Sequence, residues 1–307
     1  MADALSRSRI LPILAALAAV LALGAGAAWK FFLKQYLERW NELKKRRKAR
    51  AALVAATGKD KAKVQHMVLY FLAGLADNSD ARKRLDSLMD KANKIFPGNT
   101  SQFANFGSKS MDKQALLSFL GKPDMSLSMS HCLFMGCEDP AGLKLFLHSS
   151  LHKQEWYSTG GPFFKGCIEL MTDVGMDLST EGKEDPILEL VFLKFQEHVT
   201  DDSDTYGAFL KAVAEFNKCS GISACLRPAG NGLLLKEDLL KEVEWQDSSQ
   251  GFTHCLTVLA ESPQHLKDLM QGEAYGRWMM TEMPHLKQDG VPPAVIFFLP
   301  LKVSVKC

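Results

Sequence analysis

The sequence predicts an α+β protein, two copies of one antiparallel sheet-and-helix unit behind an apolar N-terminal segment. Three observations carry this. Met129-Ser130-His131-Cys132-Leu133-Phe134-Met135-Gly136-Cys137-Glu138-Asp139-Pro140 recurs without a gap, 123 residues later, as Phe252-Thr253-His254-Cys255-Leu256-Thr257-Val258-Leu259-Ala260-Glu261-Ser262-Pro263. Around each copy, short apolar runs alternate with helix caps. Ahead of both, residues 10–29 form a run of 20 without a charge.

That run has the length of a bilayer-spanning helix. It reads as a signal anchor within residues 1–33. A cleaved signal peptide or a transit peptide are the alternatives, giving a secreted or organelle-targeted product. Residues 34–63 form a basic helical neck and linker, with Phe32, Tyr36, Trp40 and Leu43 on a helical stripe leading into it. From 30 to 63 there are 12 Lys or Arg against 3 Asp or Glu. The more basic flank belongs in the cytosol. The repeats are therefore expected to face the cytosol from the endoplasmic reticulum or an organelle outer membrane. The whole chain has a formal net charge of only +2, so the body behind the neck is acidic. Such a body is a poor nucleic-acid partner, because phosphate neutralisation needs clustered Lys and Arg. Seven cysteines at scattered spacings, with no CxxC, read as reduced core residues.

The first copy spans about 64–178. Residues 64–72 are an apolar run of strand length. Asp77-Asn78-Ser79-Asp80 can cap a helix carrying Leu85, Leu88, Met89, Ala92 and Ile95, which stops at Pro97-Gly98. A weaker strand covers 101–106 and a short inserted helix 110–120. The repeated strand follows at 128–136, then a helix through Leu143, Phe146, Leu147 and Leu151, then a strand at 163–174. The second copy, 184–307, repeats the plan. It has a strand at 186–195, a cap at 201–204, a helix carrying Phe209, Val213 and Phe216, and a strand at 222–226. An inserted helix at 235–245, the repeated strand at 252–260, a helix opened by Ser262-Pro263 and a strand at 295–303 complete it. Strand-helix-strand-strand-helix-strand is the order of a ferredoxin-like unit, with both long helices on one sheet face.

These residues resemble a known family. A first strand bears a His, in Val64-Gln65-His66-Met67-Val68. A later strand opens Gly251-Phe252-Thr253-His254, and Glu261-Ser262 follow at a helix cap. The pattern is similar to the stress-responsive A/B-barrel, or dimeric α/β-barrel (Dabb), family, in two copies over about 64–305. On this alignment Leu190 stands in the second copy where the first has His66. The resemblance implies that the two units pair their sheets into a barrel within one chain, an intrachain pseudo-dimer, with further self-association left open.

Some members of that family are polyketide cyclases, with a His late in the second long helix as base and a Tyr six residues earlier. Here His152 holds the His position and Phe146 the Tyr position. In the second copy Tyr275 and Leu269 stand there, so neither copy has the full pair. The candidate catalytic residue is His152, since an imidazole can take a proton near neutral pH. The candidate ligand pocket is His66, His131, Phe146, His254 and Tyr275. His131 and His254, each beginning an inner strand, also suit hydrogen bonding within the fold. No Gly-rich phosphate loop, Ser-nucleophile elbow or HExxH occurs, and no cofactor or metal is expected. The expected function is binding of a small apolar ligand or a protein partner, with a stress-response role implied by the resemblance. The alternative is an enzyme acting on a small carbonyl compound, with His152 as general base.

Overall fold

The computed structural model describes residues 64–96, 100–137, 140–173, 178–200, 202–229, 248–287 and 292–301. All of them belong to one compact unit, Thr57–Cys307. The expected anchor and neck, like the inserted helix at 235–245, lie outside the described residues. Among the described residues no helix is long and apolar enough to cross a membrane.

The first repeat runs β1 (Val64–Leu72), α1 (Asp80–Ile95), β2 (Thr100–Asn105), α2 (Lys113–Leu120), β3 (His131–Cys137) and α3 (Pro140–His148). A π-helical turn (Leu151–Trp156), α4 (Tyr157–Gly160) and β4 (Phe164–Asp173) close it. The second repeat runs β5 (Ile187–Leu193), α5 (Asp204–Phe216), β6 (Ile222–Pro228), β7 (His254–Ala260), α6 (Pro263–Gln271), α7 (Glu273–Glu282) and β8 (Ala294–Pro300). The caps expected from sequence form. Ser79 Oγ accepts from Arg82 N at 3.2 Å, and Ser203 Oγ from Tyr206 N at 3.1 Å. Each satisfies a backbone donor that the first turn leaves unpaired.

Both sheets are four-stranded and antiparallel, ordered β2-β3-β1-β4 and β6-β7-β5-β8. The central strands are buried on both faces, which is why they read as unbroken apolar runs. In β1, alternate residues part company. Val64, Val68, Tyr70 and Leu72 pack under the helices of their own repeat, with Leu85, Met89 and Phe146. Met67 and Leu69 join Cys132, Phe134, Ile168 and Leu170 in a core shared with the second sheet. Phe106 meets Phe297 and Phe298 there, with ring centroids 4.8 and 5.5 Å apart. The edges are tied as well. The Gln102 side-chain amide donates to the Pro300 carbonyl, and Gly107 N donates to Phe298 O at 2.9 Å. Gly107 sits at φ +150°, and a Cβ added there would lie 2.6 Å from the Met111 carbonyl oxygen. Only glycine suits that turn.

The strand register corrects one alignment. His66 pairs with Met135, and Glu189 pairs with Val258. Since Val258 repeats Met135, Glu189 and not Leu190 stands in the place of His66. The strands repeat at an offset of 123, whereas the caps Ser79 and Ser203 repeat at 124. One extra residue in the connection between β5 and α5 absorbs the difference. The slip matters because it exchanges faces. Leu190 belongs to the shared core, and Glu189 faces the helices.

The second long helix of each repeat is broken. In the second repeat Gly272 is extended, at φ −76° and ψ 156°, and separates α6 from α7. In the first, the chain passes through the π-helical turn and the short α4. Such turns re-aim side chains that a regular helix would hold on one face.

A candidate ligand cavity in the first repeat

Between β1, β4 and the broken helix of the first repeat lies a cavity of about 670 Å³. Its apolar and aromatic walls are Val68, Leu72, Leu85, Leu147, Trp156 and Phe164. Its polar groups are His66, Glu169, His152, Tyr70, Tyr157, Lys153, Ser248 and the Cys167 thiol.

Strand alternation places the first two. Glu169 lies opposite Val68 across the β1–β4 ladder, so it shares a face with His66. The His66 Nε2 and a Glu169 carboxylate oxygen are hydrogen-bonded. The side chain of His66 is 1% exposed and that of Glu169 16%, so the carboxylate presents to the cavity and the imidazole braces it from beneath. Glu169 N also donates to Ser248 O at 3.0 Å, which brings the second repeat to the cavity wall.

The π-helical turn places His152 and Trp156. His152 Nδ1 lies 3.2 Å from the Leu147 carbonyl oxygen. A carbonyl can only accept, so the proton is on Nδ1 and Nε2 is an acceptor. Burial, and next the neighbouring His66, lower the His152 pKa to about 4, which keeps the ring neutral at pH 7. The ring rests between Phe146 at 5.0 Å and Tyr157 at 5.4 Å, centroid to centroid. Burial and the nearby Glu169 charge hold the Tyr70 hydroxyl well above the usual tyrosine range. Burial and Glu169 raise Tyr157 likewise.

Of the residues expected to form the site, His66 and His152 line this cavity. The others lie elsewhere. Phe146 is fully buried behind His152, where its ring packs edge-on against Phe96. His131 is stacked on Phe103, 5.2 Å between centroids, and its Nδ1 is 2.7 Å from Ser130 Oγ. Burial and then Arg82 lower its pKa to about 4. His254 makes the matching contacts in the second repeat, 2.9 Å to Thr253 Oγ1 and edge-on to Phe195. The recurring His is thus held by the hydroxyl residue before it and by an aromatic ring.

Tyr275 is buried in the second repeat, stacked on Phe216 at 5.8 Å and beside Trp278. Tyr275 lies near Glu189, the residue that matches His66. Glu189 is fully buried there, with no hydrogen-bond partner for either carboxylate oxygen. Burial raises its pKa to about 8, against an attractive contribution from Lys122. Burial and Glu189 also raise Glu282 to about 8.

Glu169, Tyr70, Trp156 and Tyr157 were not expected from sequence. A carboxylate among the apolar residues Ile168, Leu170 and Met171 was the available signal for Glu169. Nothing along the chain announced the π-helical turn that aims Trp156.

No protein-family model and no curated protein matches the chain. Among solved structures, a Fusobacterium nucleatum protein named "putative monooxygenase" matches with a TM-score of 0.53 at 7% identity, over 81% of this chain and 96% of that one. An "anthrone oxidase-like protein" gives 0.47 at 10% identity, over 82% and 96%. A "putative monooxygenase" from Lactobacillus acidophilus gives 0.45 at 9% identity, over 78% and 93%. The Fusobacterium likeness is one of fold, and its coverage exceeds one repeat, so it includes both.

The buried pair Glu189 and Glu282 predicts a stability signature. The folded-state pKa of Glu189 lies above its ordinary value of 4.5, so the folded chain binds more protons between 4.5 and about 8. Stability therefore falls as pH rises through that window. Glu189→Met should raise the melting temperature at pH 8 by the equivalent of a few kcal/mol, at roughly 1.4 kcal/mol per pKa unit. The gain should shrink toward pH 5. A gain equal at both pH values would count against this assignment.

Proposed function

We propose that this chain is a membrane-anchored tandem A/B-barrel protein whose first repeat binds a small, largely apolar molecule. The cavity carries this reading. At about 670 Å³, it falls among ligand sites, which run from roughly 300 to 1,000 Å³ and combine apolar walls with a few convergent polar groups. In the second repeat Tyr275, at the position of His152, is packed with Phe216 and Trp278. The shared core supports an intrachain version of the dimeric α/β barrel, which covers sheet faces that one repeat would expose. The family assignment, the stress-response role and the cytosolic orientation rest on the sequence resemblance and on the charges flanking residues 10–29.

The asymmetry gives a direct test. Val68 lines the cavity, and Val191 is its counterpart beneath the filled site. Val68→Phe should fold with little loss of stability and weaken binding of an apolar fluorescent probe at least tenfold. Val191→Phe should cost about 1–3 kcal/mol by overpacking and leave probe binding intact. Equal effects of the two substitutions on binding would place the ligand elsewhere.

A second reading, proton abstraction from a small carbonyl compound, draws on His152. Its Nε2 is an acceptor at the cavity wall, the form a general base needs. A pKa near 4 makes it a weak base, so binding remains the leading reading. If turnover of an enolisable carbonyl substrate is found, His152→Ala should reduce kcat at least a hundredfold. Undiminished turnover in that variant excludes His152 as base.

The anchor has its own test. Alkaline carbonate extraction of membranes should leave the full chain in the pellet, and its release into the supernatant would refute anchoring by residues 10–29.

A further inference from the structure

Two strong acceptors stand in the first-repeat cavity, beside the Tyr70, Tyr157 and Ser248 hydroxyls. Glu169 offers a carboxylate, held in place by His66 below and by its own backbone bond to Ser248. His152 offers Nε2, because its proton is committed to the Leu147 carbonyl. Around them stand π faces. Tyr70 lies 5.9 Å from Trp156 and 6.3 Å from Phe164, and Tyr157 packs on His152, all along the cavity wall. Lys153 is the one lysine or arginine among the described lining residues, and it is exposed.

A ligand head that accepts hydrogen bonds has little to meet at Glu169 and His152. A carboxylate head would meet like charge. A protonated amine has several N–H donors and a positive charge, and it suits both acceptors and the aromatic faces. We propose that the cavity selects small molecules with an apolar body and a protonated amine head, with Glu169 as the residue that sets this preference. This rests on the ligand-binding reading above and names the class of ligand for that site. His66 is a positioning residue for Glu169, and His152 is a second acceptor.

The test compares three probes of equal length on the full chain at pH 8. They are 4-phenylbutylamine, 4-phenylbutanol and 4-phenylbutanoate, titrated calorimetrically. The amine should bind at least tenfold tighter than the alcohol, and the carboxylate weakest. Glu169→Gln should bring amine affinity down to that of the alcohol. Lys153→Met, at the rim, should raise amine affinity. If the alcohol or the carboxylate binds as tightly as the amine, the amine preference is wrong and the apolar-ligand reading stands. If the amine retains its advantage in Glu169→Gln, Glu169 is not its source. If none of the three binds, and the apolar fluorescent probe does not bind either, both readings fall.

Discussion

The inner faces of the two sheets bury each other, through Met67, Leu69, Phe134 and Ile168 from one repeat and Leu190, Phe192, Phe297 and Leu299 from the other. Burial of apolar surface at about 25 cal/mol per Å² is the main favourable term in any such fold. A single repeat would leave this face to water, along with the edges that Gln102 and Gly107 tie to β8. The shared core therefore couples two units whose helix-covered faces can diverge. Each outer face needs only to fill the space beneath its own helices.

The repeats have used that freedom in opposite ways. In the first, the chain after α3 widens into a π-helical turn and a one-turn helix, and a cavity remains over β1 and β4. In the second, α7 is a regular helix of 10 residues that lays Tyr275 and Trp278 against Phe216. The substitution of Glu189 for His66 belongs to the same divergence. His66 has Glu169 as a partner and an open cavity beyond it. Glu189 has neither hydrogen-bond partner nor solvent, so burial favours its protonated form.

Desolvation also shapes the open cavity. A neutral His152 and high-pKa tyrosines leave the Glu169 carboxylate as its most polar inward feature. An ionisable group at the wall of an apolar cavity, braced by a second buried group, is a pattern expected of binding and catalytic sites alike. Fold likeness does not choose between them, because one fold hosts many functions. The polar groups themselves must be tested.

Much of the architecture was legible in the sequence. The repeated motif, the Ser79 and Ser203 caps and the apolar strand runs follow local rules that residue type and spacing express directly. The register of β5 did not, because its strand is buried on both faces and every residue reads as apolar except Glu189. A one-residue insertion in the connection after it is invisible until hydrogen bonds show Glu189 opposite Val258. The site was legible in part. His66 and His152 line the cavity, while the recurring His131 and His254 lie among aromatic rings and hydroxyls outside its described lining. The sequence by itself determined that there are two copies of one unit, because repetition and periodicity are properties of the chain. The tertiary structure alone decided that the first repeat holds this cavity and that Glu169 faces into it. Whether space stays open depends on which side chains from distant segments converge, and no local pattern encodes that.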